Sequence, residues 1–155
     1  MKIALVQMDV AHGKPVENKK HVKEMLERAL SEKPDVIVLP EMWNTGYALD
    51  ELDGLADKEG LDSQEILSHF ARKHAVAIIG GSVAIEKDGK FYNTTYVYNK
   101  SGDLINTYSK VHLFGLMAED QYMSAGSSES VFELDGVTAV SYTHLRAHET
   151  LANLV

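Results

Sequence analysis

Residues 2–8 open on a mainly apolar run, Ile3, Leu5 and Val6, that ends in polar Gln7 and Asp9, the signature of a short strand. From Pro15 the pattern lengthens. Val22, Met25, Leu26, Ala29 and Leu30 follow helical spacing, while Lys19, Lys20, Lys23, Glu24 and Glu27 fill the other side, so an amphipathic helix lying on a sheet is predicted. Pro15 suits its first turn. The unbroken run Val36–Leu39, bounded by Pro34 and Pro40, then reads as a strand buried on both faces, parallel to the first because a helix joins them.

An acidic stretch from Tyr47 to about Gly60 is predicted as loop. Asp62, with Glu65 three residues on, offers an N-cap for a second helix that turns Ile66, Leu67, Phe70 and Ala71 inward. Three β-rich runs follow, Val76–Ile85, Phe91–Tyr98 and Leu104–Tyr108. The turns Lys87-Asp88-Gly89 and Lys100-Ser101-Gly102 join them into an antiparallel meander, so the whole sheet is mixed.

The chemistry gathers where these elements end. Pro40 cannot donate a ladder hydrogen bond and Glu41 resists an apolar layer, which puts Glu41 at the carboxyl end of its strand, where open α/β sheets hold their sites. Trp43, the only tryptophan, and Tyr47 are expected to wall it. That desolvation would raise its pKa toward general-base range. Lys110, leaving the third meander strand, and Glu119, nine residues on, form a second cluster. Taken singly, each of these charged residues is most simply a solvated surface group.

Composition narrows the partners. The 155 residues are 45% hydrophobic and 25% charged, enough for one domain with a core. A net charge of −8, from 23 acids and 15 bases, argues against nucleic acid and anionic membrane as partners. No apolar run reaches membrane-span length and the start has no signal-peptide pattern, so a cytoplasmic location is expected. There is no cysteine, hence no disulfide or zinc–thiolate site.

Three further patterns are set aside. His12, His21, His69, His74 and His112 lie on different elements without metal-binding spacing, so neither metal nor cofactor is expected. Gly80-Gly81-Ser82 lacks the continuation of a phosphate loop and reads as close backbone packing. Asn93-Thr94-Thr95 and Asn99-Lys100-Ser101 match the glycosylation acceptor pattern, which carries no weight in a chain that is not expected to be secreted.

Together, PEMWNTGY, YSKVHLF and EDQYMSAG, with the start KIALVQMDV, resemble the carbon–nitrogen hydrolase (nitrilase) superfamily over residues 1 to about 138. The resemblance implies a nitrilase-type α/β/β/α sandwich, here truncated, with a mixed sheet and two covering helices. It implies a Glu-Lys-Cys catalytic set: Glu41 as general base, Lys110 as the cation, Glu119 as a second glutamate holding the lysine, and Tyr47 in the substrate pocket. The activity implied is hydrolysis of a small-molecule amide with water, closest to ω-amidases acting on 2-oxoglutaramate-like amides, by a homodimer or larger assembly. A nitrilase or N-carbamoyl amidohydrolase shares the set. A ligand-binding domain that kept the fold without the thiol is the reading from another class.

The nucleophile is missing from the stretch where the family pattern carries it. Gly136-Val137-Thr138-Ala139 begins that pattern, and VSYTHLRAHET then resembles a translated sequencing adapter, with Asn153-Leu154-Val155 fitting its continuation. Residues 1–139 are therefore expected to be the N-terminal part of a carbon–nitrogen hydrolase domain and 140–155 a non-native tail that packs poorly. Glu41 and Lys110 are expected to converge within about 8 Å at the carboxyl ends of neighbouring strands. Without a thiol the 155-residue chain is expected to be inactive.

Overall fold

The computed structural model describes residues 1–128 and 130–141. β1 (Ile3–Leu5) leads through α1 (Pro15–Ala29) and a 3₁₀ turn to β2 (Val36–Val38). β1 and β2 are parallel, with Ile3 beside Val36 and Leu5 beside Val38. Pro15 opens α1, whose Val22 and Leu26 are fully buried, with Met25, Ala29 and Leu30 packed beside them.

The stretch after Tyr47 is not the simple loop expected. It forms a 3₁₀ turn at Leu49–Glu51, α2 (Leu52–Leu55) and β3 (Asp57–Lys58). Leu49 and Leu52 sink into a cluster with Met42, Ala84 and Met123. The acids around them hid an apolar spacing of one helical turn.

α3 (Leu61–His74) buries Leu67, Phe70 and Ala71 as its period requires. Its cap corrects the expectation. Asp62 lies within the helix and pairs with Lys19 of α1. The buried Asp57 carboxylate instead accepts the backbone N–H groups of Asp62 and Ser63 at 3.2 and 2.8 Å, taking up orphan donors at the positive end of the helix. Gly60, at φ +67, turns the chain so that Asp57 can reach back; a Cβ there would lie 2.2 Å from the Tyr96 hydroxyl.

The run Val76–Ile85 divides into β4 (Ala77–Ile79) and β5 (Val83–Lys87), followed by β6 (Lys90–Tyr98) and β7 (Leu104–Ser109). β6 is the spine of the meander. β4 and β5 pair antiparallel with its two ends on one edge, and β7 pairs antiparallel along the other. β2 runs parallel to β4, and β3 parallel to β5, which completes a mixed sheet of seven strands among the described residues.

The two faces carry different layers. Ile37, Ile78, Tyr96 and Tyr98 meet Val22, Leu26, Leu67 and Phe70 beneath α1 and α3. After α4 (Glu119–Tyr122), β8 (Ser130–Leu134) and β9 (Val137–Ser141) form an antiparallel hairpin. Phe132 and Leu134 of the hairpin pack on Val36, Ala77 and Val97 of the opposite face. Helices, mixed sheet and a second sheet thus lie in the expected order. Val140 and Ser141 continue β9 beside Val131 and Ser130, and Val140 is exposed; the rest of the suspected tail, 142–155, lies outside the described residues.

Candidate active site

The turn after β2 is laid into the break between β4 and β5. Leu39 N–H donates to the Ile79 carbonyl at 3.0 Å, and Ser82 N–H to the Pro40 carbonyl at 3.1 Å. Gly81, at φ +58, is required there, because a Cβ would stand 2.0 Å from the Pro40 oxygen. The glycines are close backbone packing, as the sequence suggests, but at a strand break.

Beyond Glu41 the turn is bonded at every step. Met42 N–H donates to Ser82 Oγ at 3.0 Å and Trp43 N–H to the Ser82 carbonyl at 3.1 Å. The Asn44 side chain imitates a neighbouring strand, donating to the Ala84 carbonyl and accepting from Ala84 N–H, both at 2.9 Å. Between Leu39 and Gly46 only Glu41 is exposed. Trp43 does not wall it as expected. Its ring is fully buried in the core beneath the helices, and its Nε1–H donates to the Gly80 carbonyl at 2.8 Å. A large apolar ring with one N–H gains more from that core than from a half-open mouth.

Lys110 follows β7 in the alternation that places Tyr108 beside Thr95, so it faces the same side as Asn93. Its Nζ lies 3.0 Å from Glu41 Oε1 and 2.9 Å from Glu119 Oε2. The strands are not neighbours as expected, since β4 and β6 stand between β2 and β7. The turn along Gly80–Ala84 carries Glu41 across the gap.

Glu119 opens α4 and is completely buried, whereas the Glu41 side chain is 47% exposed. Buried carboxylates need full hydrogen bonding. Glu119 has it: Oε2 also accepts from Phe114 N–H at 2.8 Å, and Oε1 from Asn93 Nδ2 at 2.9 Å. Tyr47, half-buried, hydrogen-bonds Glu41.

The electrostatics correct one expectation. Burial does push the Glu41 pKa upward, but hydrogen bonds from Lys110, Tyr47 and Asn93, with the charge of Lys110, outweigh it and hold the pKa below the usual glutamate value. Burial likewise disfavours the charged Lys110, yet Glu119 and Glu41 together hold its pKa above the ordinary lysine value. Burial and the neighbouring Glu41 push the Tyr47 pKa up. The site therefore presents a half-open carboxylate and a fixed ammonium side by side, a proton acceptor next to a stabiliser of developing negative charge.

Asn93 is the site residue that the sequence reading missed. It is 2% exposed inside β6, where asparagine is disfavoured, and that misfit among β-formers was the available signal. A cavity of about 470 Å³ beside Tyr92, Thr94 and Ser109 lies on the opposite face of β6 and contains neither Glu41 nor Glu119. Among the described residues no group of His, Asp or Glu is arranged to hold a metal ion.

The profile of a family described as carbon–nitrogen hydrolase matches residues 2–143. A 2-oxoglutaramate amidase of Bacillus subtilis (strain 168) is 49% identical over 135 residues, covering 87% of this chain and 52% of that protein. Omega-amidase NIT2 of Danio rerio is 32% identical over 139 residues, covering 85% and 50%. Among solved structures, Saccharomyces cerevisiae Nit3, a member of branch 10 of the nitrilase superfamily, superposes with a TM-score of 0.78 at 28% identity, covering 89% of this chain and 53% of that one. XC1258 of Xanthomonas campestris, a CN-hydrolase superfamily protein, gives a TM-score of 0.80 at 26% identity, covering 88% and 50%. The chain spans about half the length of the curated relatives it matches.

Proposed function

The chain belongs to the carbon–nitrogen hydrolase family, and we propose that the whole protein is an amidase releasing ammonia from a small amide of the 2-oxoglutaramate type. The observation that carries the reading is the Lys110 ammonium held 3.0 Å from Glu41 and 2.9 Å from Glu119. Identity of 49% to a 2-oxoglutaramate amidase supports the substrate class.

In this reading Glu41, ionised at neutral pH, takes the proton from a cysteine thiol as the sulfur adds to the amide carbonyl. Lys110 stabilises the oxyanion, and Glu119 keeps Lys110 charged and aimed. Collapse of the adduct transfers the proton from Glu41 to the departing ammonia and leaves a thioester. Glu41 then draws a proton from water, whose oxygen attacks the thioester, and the acid and the thiol are released. Tyr47 borders the substrate while bonding Glu41. The 155 residues contain no cysteine; the reading assigns the thiol to the half of the protein that they do not span, and on its own this chain is inactive. The complete protein works in the cytoplasm as a homodimer or larger assembly, without a cofactor.

The test is ammonia release by the full-length protein from 2-oxoglutaramate, a nitrile and an N-carbamoyl amino acid in parallel. Turnover of the amide alone, abolished by Glu41→Gln and by replacing the cysteine, is the expected result. Preference for the nitrile or the carbamoyl compound would overturn the substrate assignment, and turnover by the 155-residue chain would overturn the mechanism.

A further inference from the structure

One carboxamide touches both carboxylates of the site, and the backbone of the same residue holds the backbone of Lys110. Asn93 Nδ2 donates to Glu41 Oε1 and to Glu119 Oε1, each at 2.9 Å, and the Asn93 backbone carbonyl accepts Lys110 N–H at 2.8 Å. We propose that Asn93 is the positioning residue that fixes the distance between the two carboxylates and turns both toward Lys110; its importance for turnover rests on the amidase reading, while the contacts do not.

The argument is one of donor chemistry. An amide nitrogen carries two hydrogens about 120° apart, so two 2.9 Å bonds set their acceptors about 5 Å from one another. That spacing lets a single ammonium bridge two like charges that would otherwise repel. Only glutamine carries the same amide, one methylene further from the strand. Aspartate would add a third acid, serine has one hydrogen to give, and lysine would bring a second cation that competes with Lys110. The backbone contributes as well: Asn93 lies beside Ala84 on β5, the residue clasped by Asn44 of the Glu41 turn. Asn93 therefore sits where the supports of Glu41 and of Lys110 meet.

The inference is tested by carboxyl ¹³C NMR titration of the 155-residue chain labelled at its glutamate side chains, comparing wild type with Asn93→Leu, which keeps the volume and removes both donors. The titratable groups around Glu41 are Lys110, Tyr47 and Glu119, and none of the three is substituted in the variant. The Glu41 midpoint is expected to rise toward the ordinary 4.5, with partial recovery in Asn93→Gln. An unmoved midpoint in a folded Asn93→Leu chain would overturn the proposal, since a merely structural residue changes the melting temperature without changing that midpoint. If the leucine variant does not fold, Asn93→Ala, which also removes both donors, carries the same comparison. In the full-length protein, kcat should fall at least about tenfold, the loss expected for one charged hydrogen bond, with KM little changed. A proportional rise in KM instead would mean that Asn93 contacts substrate, also against the proposal. Because the titration needs no turnover, failure of the amidase reading leaves it standing.

Discussion

On one face of the central sheet Ile37, Ile78, Tyr96 and Tyr98 lie beneath α1 and α3, none more than 4% exposed. On the other face Val36 and Ala77 are covered by the β8–β9 hairpin, while Ile3 and Leu5, in register beside Val36 and Val38, stand 54% and 75% exposed. The first face is closed by helices that are sequence neighbours of its strands. The second depends on segments from further along the chain, and there the apolar surface gives way to Asn93, Lys110 and Glu119. The larger apolar core and the charged cluster therefore lie on opposite sides of the same strands.

The largest effect should come from the closed face. Trp43→Ala removes a fully buried ring from the helix-side core and should cost about 3–5 kcal/mol in urea unfolding followed by circular dichroism. A cost below about 1 kcal/mol would mean that this face does not carry the fold. Asn44→Ala leaves both backbone groups of Ala84 without their partner, and the same measurement should show a loss of about 1–3 kcal/mol.

Smaller effects are expected on the open face. Because the folded-state pKa of Glu41 is depressed, its stabilising contribution is fully present above the ordinary value of 4.5 and is lost as pH falls through the lower folded value. The stability difference between wild type and Glu41→Gln should thus stay level from neutral pH to about 5 and shrink only below 4.5. Shrinkage already above pH 5 would mean that Lys110, Tyr47 and Asn93 do not outweigh burial. Last, Leu5→Gln should change stability by no more than about 0.5 kcal/mol while reducing binding of a hydrophobic dye. A larger loss would show that the second face is as closed as the first.

Much of this architecture is written in local pattern. The helical spacing of Val22 and Leu26, the apolar run before Glu41 and the two glycine turns of the meander each depend on residues a few positions apart, and each forms as expected. Leu49 and Leu52 were overlooked because the acids among them outweigh one turn of apolar spacing. The cap of α3 was assigned to Asp62 because sequence proximity favours it, whereas the αL turn at Gly60 brings Asp57 nearer to the open N–H groups.

By itself, then, the sequence determined where β1, α1, β2, α3 and the meander strands lie, that Glu41 follows a buried strand, and, through PEMWNTGY and YSKVHLF, the family to which the chain belongs. Only the tertiary structure decided that Trp43 turns into the core, that the Glu41 pKa falls instead of rising, and that Asn93 joins the two acids. The reason is range. Periodicity and turn chemistry act over a few residues, but Lys110 meets Glu41 across 69 positions and Asn93 meets it across 52. Whether a carboxylate is walled by a ring or bonded by an ammonium and an amide depends on which distant strands are packed beside it, and that balance sets the sign of its pKa shift.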